Sequence, residues 1–340
     1  MRRFTRYSIV LLFLTSLCSS AFADHDIKHF KNIVWASPKG FNLTLDIAVP
    51  DTKTKAKPVL VIFHGGGWLL NNKSIMTDLA DSIATRTDVI TVNVNYRLLS
   101  DVNNTTTMPE LIEDAMGSVL WVKENIKRYG GDPKKVAVTG DSAGGHLAAM
   151  VTLAGRNLGS DGFSKKPLKF KPTYLPKGVT AEQIAKKDGL KLQAAIMSYA
   201  VFSLVEVGKS GFETEKNPFW KFANAKARGM FGDTINANDN PEYYQAVSPN
   251  QYIVSAKEYK LPPQFVHVGE LDGMTTPELA KKYVEQLQSL GQPVSFKIHP
   301  GKKHGFFDSG CNDYNNGCFK ELSEPGVSDM VGFLNEVFHL

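Results

Sequence analysis

The sequence predicts an α/β fold with a mostly parallel central sheet flanked by helices, and three observations predict it. Short β-rich runs alternate with longer stretches of helical periodicity, the order expected of a sheet layered with helices. The run at 58–63 is apolar throughout, as in a strand covered on both faces. Glycine clusters follow that run and a later one at 135–139, where a strand would hand over to a loop or helix.

Each element follows in order. The runs at 30–36 and 42–49 read as an opening antiparallel hairpin around Pro38-Lys39-Gly40. The strand at 58–63 is followed by a helix over 74–85 and a strand over 89–95. A helix over 109–128 has Pro109 at its start, where a missing N–H costs little, and Gly130-Gly131 past its end. A strand at 135–139 leads into a small-residue helix at 144–154. Residues 156–191 break the rhythm with nine basic residues, three acidic ones and three prolines. They read as a surface insertion, either a solvated loop or a flap. A strand over 192–199 resumes the alternation. Residues 205–260 are irregular to helical and rich in aromatics, with Phe219 and Trp220 suited either to stacking on a ligand or to ordinary packing. Strands at 264–268 and 294–299 and helices at 276–290 and 327–338 complete the pattern. No internal repeat interrupts it, so 24–340 reads as a single domain with insertions at about 156–191 and 205–260.

Composition narrows the class. The chain has 340 residues, 42% apolar and 21% charged, which excludes a disordered chain, a collagen-like repeat and a coiled coil. A chain this long buries a full core without disulfide or metal staples. Residues 1–23 read as a secretory signal peptide: Arg2, Arg3 and Arg6, an apolar stretch over 8–17, and Ala21-Phe22-Ala23 as the cleavage site. That stretch is too short to span a bilayer comfortably. Leu17 is bulky where lipid attachment at Cys18 would want a small residue. The expectation is an exported protein, periplasmic or extracellular, with no stable membrane insertion. Cleavage removes three basic residues and no acids, so a net charge of +5 falls to +2, and no nucleic-acid partner is implied. Cys311 and Cys318 remain, and an oxidising compartment favours a disulfide between them. Closing so small a loop is worth ~2–3 kcal/mol in the chain-entropy model. No further Cys/His pair stands at metal-ligand spacing, and no metal or cofactor is expected.

The chemistry concentrates in Gly140-Asp141-Ser142-Ala143-Gly144-Gly145-His146. This G-x-S-x-G lies between a predicted strand and a predicted helix, the context that exposes a serine hydroxyl on a tight turn. Side chains at 140 and 144 would strike the neighbouring strand and helix. His64-Gly65-Gly66-Gly67-Trp68 follows the buried strand, and three glycines there let backbone N–H groups turn toward a ligand. Gly66 and Gly67, with the Ala143 N–H, are candidates for stabilising an oxyanion. The run lacks the lysine of a phosphate-binding P-loop. His64 reads as a structural hydrogen-bonder, and Trp68 as a substrate-binding candidate. A serine nucleophile needs a base. Among the histidines, His304 lies in a loop after the last strand, where sheet C-termini gather, whereas His267 falls within a strand, His299 ends one and His146 lies along a helix. An orienting carboxylate is next, and Asp272 follows the strand at 264–268, with Glu270 as the alternative. These three candidates follow one another along the chain in the order Ser142, Asp272, His304.

On these residues the sequence resembles the α/β-hydrolase superfamily, and within it the HGGG esterases grouped with hormone-sensitive lipase. HGGGW, Asn95-Tyr96-Arg97-Leu98, Gly131-Asp132-Pro133, GDSAGGH and His304-Gly305-Phe306 carry the resemblance. It implies the α/β-hydrolase fold, Ser142, Asp272 and His304 as catalytic triad, and Gly66, Gly67 and Ala143 as oxyanion hole. Few residues precede His64 and they pattern as strands, which is closer to the cap-less acetylesterase and feruloyl-esterase-like branch. The expected activity is serine carboxylester hydrolysis through an acyl-enzyme, on short-acyl or aromatic esters from small molecules or polysaccharides. An arylformamidase-like amidase and a non-catalytic binding module on the same fold are the alternatives.

Overall fold

The computed structural model describes residues 25–340; the expected signal peptide at 1–23, Cys18 included, lies outside the described residues. Eight strands form one sheet: β1 (Ile27–Ala36), β2 (Leu43–Pro50), β3 (Lys57–Phe63), β4 (Ile90–Val94), β5 (Gly131–Asp141), β6 (Ala194–Ser198), β7 (Gln264–Gly269) and β8 (Val294–His299). Their spatial order is β1-β2-β4-β3-β5-β6-β7-β8. The β1–β2 and β2–β4 pairs are antiparallel and all the others parallel, so the expected α/β-hydrolase sheet with its opening hairpin is present. Every residue of β3, β4, β6 and β7 is buried. That is the fate of apolar runs covered on both faces. The edge strands β1 and β8 remain largely solvated.

Five long helices cover the sheet: α1 (Thr77–Arg86), α2 (Met108–Asn125), α3 (Ala143–Ala154), α4 (Pro277–Ser289) and α5 (Gly326–Phe338). At the start of α2, Thr107 and Glu110 form a reciprocal capping box. The predicted helix at 109–128 ends its α form at Asn125 and tightens into a 3₁₀ turn, Ile126–Tyr129, closed by Gly130 at φ 83°. Only Thr152 of α3 escapes burial, which explains its small apolar residues: it lies in the core, not on a face. Asn95 to Leu98 brace the loop after β3. The Tyr96 hydroxyl donates to the His64 carbonyl at 2.6 Å. Arg97 donates from Nε and Nη2 to the two Asp114 oxygens at 2.8 and 2.7 Å, and from Nη1 to Glu110 at 2.9 Å.

Residues 156–191 hold a 3₁₀ turn, Gly162–Ser164, and a short helix, Ala181–Lys186. They pack along α2. Phe170 is fully buried, and a Cβ on Gly117 would lie 2.6 Å from the Tyr174 nitrogen. Residues 205–260 form the short helices Leu204–Lys209, Pro218–Phe222 and Pro241–Ala246 and the turn Pro249–Tyr252. Near the C-terminus, Cys311–Asn312 pairs with Gly317–Cys318 in a two-stranded ribbon that the sequence pattern did not predict. The Cys311–Cys318 disulfide closes it.

Candidate active site

β5 delivers Ser142 to the site. Its last residue, Asp141, is followed by a single non-helical residue and then by α3, so Ser142 must absorb the whole reversal. It does so at φ 50°, ψ −117°, a conformation few side chains adopt. The close packing explains the flanking glycines. A Cβ on Gly140 would lie 2.2 Å from the Gly144 carbonyl oxygen, and one on Gly144 would lie 2.0 Å from that of Phe63. The Ser142 amide donates to the Ser198 carbonyl on β6 at 2.9 Å, fixing the turn to the sheet.

The turns after β7 and β8 bring in the other two groups. Ser142 Oγ and His304 Nε2 are 2.8 Å apart, and His304 Nδ1 and Asp272 Oδ2 are 2.8 Å apart. A carboxylate only accepts, so Nδ1 carries the imidazole proton and Nε2 is left to accept from the serine hydroxyl. The Asp272 Oδ1 oxygen also accepts from the amides of Met274 and Thr275 at 2.8 and 2.9 Å. Burial pushes its carboxyl up, but the His304 hydrogen bond and charge and these two amides outweigh that and hold it below the usual range. Thr275 Oγ1 lies 3.0 Å from Asp272 Oδ2 and donates to the Tyr199 carbonyl at 2.8 Å. The Tyr199 ring packs edge-on against the imidazole. Glu270, the alternative acid, turns away and accepts from the Gly301 amide at 2.9 Å.

A cavity of about 240 Å³ opens in front of Ser142 and His304, between Gly66, Gly67, Phe219 and Tyr314. Gly66 and Gly67 sit at φ 121° and 60°. A Cβ on Gly67 would lie 2.5 Å from the Phe219 ring. Among the described residues no backbone carbonyl accepts from either glycine amide, so both donors are available to a ligand. Ala143 begins α3, where helix N–H groups lack intrahelical partners. Asp141 and Asp308 border the same cavity. Burial and then the nearby Asp308 push the Asp141 carboxyl well above its usual range, against a hydrogen bond from the Gly65 amide. Burial pushes Asp308 up to about 6, with the His304 charge pulling the other way.

Several sequence expectations divide here. His64 is structural: it is buried, stacked on Tyr96, and its Nδ1 donates to the Gly65 carbonyl at 2.8 Å. Trp68, the substrate-binding candidate, is buried against His146 and Phe212 at φ 60°, with Nε1 donating to His146 Nδ1 at 3.2 Å, and it is not among the residues lining the cavity. Of the aromatic pair, Trp220 is fully buried packing and Phe219 lines the cavity. No residue of 156–191 lines it. The sequence reading missed Thr275, Asn312, Tyr314 and Asn315; all lie within a dozen residues of Asp272 or His304, and that proximity was the available signal. Among the described residues, no group of three or more His, Cys, Asp and Glu side chains is placed to hold a metal ion, and no helix is long and apolar enough to cross a membrane.

A mostly parallel sheet with a serine held on a sharp strand-to-helix turn defines an α/β-hydrolase. Within that class a family model described as BD-FAE matches residues 45–287, and the chain belongs to the BD-FAE family. The resemblance to hormone-sensitive-lipase-like esterases therefore holds. Among curated proteins, the chain is 29% identical over 278 residues to esterase LipQ of Mycobacterium tuberculosis, covering 82% of this chain and 55% of that one. It is 36% identical over 119 residues to carboxylesterase NlhH of the same species, covering 35% of this chain and 34% of the relative. It is 25% identical over 267 residues to the isoprenylcysteine alpha-carbonyl methylesterase ICME of Arabidopsis thaliana, covering 76% and 53%. The chain spans about half the length of the longer matches. Among solved structures, the apo form of Thermogutta terrifontis esterase 2 superposes with a TM-score of 0.63 at 21% identity, over 93% of this chain and 96% of that one.

Proposed function

We propose that the protein is an exported serine carboxylesterase acting on short-acyl or aromatic esters of small-molecule or polysaccharide origin. The observation that carries this reading is the unbroken hydrogen-bond line from Ser142 through His304 to Asp272, at 2.8 Å for each link, facing a cavity lined by Gly66 and Gly67. Membership of the BD-FAE family and relatives named as esterases support it.

In the proposed reaction, the Ser142 hydroxyl attacks the ester carbonyl while His304 Nε2 takes its proton. Asp272 stabilises the imidazolium through Nδ1–H. The amides of Gly66, Gly67 and Ala143 hold the tetrahedral oxyanion, where one such donor typically contributes ~10²–10³ in rate. His304 returns the proton to the leaving alcohol, and water, activated by the same imidazole, releases the acid. The scheme uses no cofactor. The leader at 1–23 and the disulfide support export.

The test is hydrolysis of p-nitrophenyl esters from acetyl to decanoyl beside an aryl formamide, for the wild type and Ser142→Ala. Turnover of acetyl or aromatic esters that Ser142→Ala abolishes in a folded protein is expected. Undiminished turnover in that variant refutes the nucleophile, and preference for the formamide replaces the esterase with an amidase. Cell fractionation and N-terminal sequencing test export, with a mature chain beginning at Asp24 expected.

A further inference from the structure

The ring closed by Cys311 and Cys318 has no part in the reaction above, yet it sits against the loop that carries the base. Asn315, midway round the ring, donates from Nδ2 to the His304 carbonyl at 2.9 Å. Among the described residues no backbone N–H donates to that carbonyl, so Asn315 satisfies a group that would otherwise depend on water. The backbone of Asn315 is itself fixed, its amide donating to Asn312 Oδ1 at 2.8 Å. The N-terminal flank of the ring is anchored to the start of α1 and the turn before it. The Ser309 amide donates to the Ile75 carbonyl at 2.8 Å, and the Gly310 amide to Asp78 Oδ2 at 3.0 Å. Lys303, beside the base, reaches the Tyr314 carbonyl at 3.2 Å. The ribbon has only two residues on each strand, too few to hold a conformation alone, so the covalent link sets its shape.

We infer that Asn315 is a positioning residue for His304 and that the disulfide ring is the frame that presents it. This rests on the reading of His304 as the base. Fixing the His304 carbonyl fixes the plane of the following peptide, and with it the direction in which the imidazole leaves the backbone. Nε2 then stays at its 2.8 Å approach to Ser142. Proton transfer depends steeply on that approach, whereas ground-state binding of an ester does not.

The experiment compares four full-length variants with the wild type on p-nitrophenyl acetate, with circular dichroism as the check on folding. Asn315→Leu keeps the volume of the side chain and removes its donor. It is expected to lower kcat by about 3- to 10-fold, the range of one lost hydrogen bond, with KM changed by less than about 2-fold. Cys311→Ser with Cys318→Ser should lower kcat by a similar factor. Adding Asn315→Leu to that pair should lower it no further, because both act through one contact. A folded Asn315→Leu with wild-type kcat overturns the inference, as does a triple variant whose losses multiply. The Asn315→Leu measurement decides even where the serine pair does not fold. Ser142→Ala, run alongside, separates the two readings: turnover surviving in it refutes the proposed mechanism, not the ring's role alone.

Discussion

The carbonyl oxygen of Phe63, the last residue of β3, lies 2.0 Å from the point a Cβ on Gly144 would occupy. Strand and helix backbones thus meet with no room for one methyl group. The atoms in the way are main chain, which cannot rotate aside. Gly144→Ala should therefore lift α3 from the sheet and move Ser142 with it. We expect a loss of about 1–3 kcal/mol in urea unfolding and a fall in kcat on p-nitrophenyl acetate. A wild-type midpoint and turnover would refute this account of the glycine.

Arg97 lies across from Asp114 in the core, 3% and 0% exposed. Its guanidinium is Asp114's charge partner, so Arg97→Ala leaves a buried carboxylate uncompensated. Breaking such a pair typically costs about 3–5 kcal/mol. The variant is expected to unfold at markedly lower urea, and double replacement with Asp114→Ala should recover part of the loss. Equal midpoints for wild type and Arg97→Ala would show the pair to be dispensable.

Asp272→Asn keeps the shape of the acid but removes its charge and permits the wrong imidazole tautomer. A kcat loss on the order of 10³–10⁴ is expected, with KM little changed and the fold intact. Glu270→Gln is the control: its side chain caps the Gly301 amide, so its kcat should stay close to that of the wild type. The reverse ranking would reassign the acid.

Asp308 supplies a pH dependence whose sign is fixed by its direction of shift. Burial raises its carboxyl to about 6, so the folded state favours the protonated form. Its contribution to stability is present below the unfolded value near 4 and is lost as pH rises through about 6. Asp308→Asn removes that loss. The variant should match the wild type near pH 4 and exceed it by on the order of 1–2 kcal/mol at pH 8 in urea titrations. A difference independent of pH would sink the assignment.

Trp68→Phe tests whether Trp68 packs the core or touches substrate. The change removes the donor to His146 Nδ1 and leaves that buried nitrogen unsatisfied. A cost of about 1–3 kcal/mol in stability is expected, with KM for p-nitrophenyl acetate unchanged. A raised KM without a stability change would return Trp68 to the substrate.

The parts of the site that rest on local backbone constraints were readable from sequence. Gly140, Ser142 and Gly144 are dictated by a tight strand-to-helix turn, Asp272 follows a fully buried strand, and His304 follows an edge strand whose apolar and polar residues alternate. The inner strands were legible from their buried apolar runs, and the edge strands β1 and β8 from β-rich stretches with polar residues interspersed. What failed depended on side-chain direction or distant contacts. Trp68 stands beside the glycines in sequence, yet its indole is buried against His146 and Phe212. Phe219 and Trp220 are neighbours in one short helix, so composition could not say which of them faces the cavity. Asn315 acts on a carbonyl eleven positions earlier through a side chain that no periodicity marks.

The contact between Gly67 and Phe219 joins stretches of chain some 150 positions apart, and its spacing of 2.5 Å to an added Cβ leaves no slack. Chimeras that import the 205–260 stretch from a relative would therefore exchange more than selectivity. Unless the incoming side chain fills the space beside Gly67 as Phe219 does, the transplant would disturb the glycine loop itself. The geometry of the glycine loop and the shape of the cavity wall are thus coupled traits, open to joint evolution but resistant to being swapped one at a time.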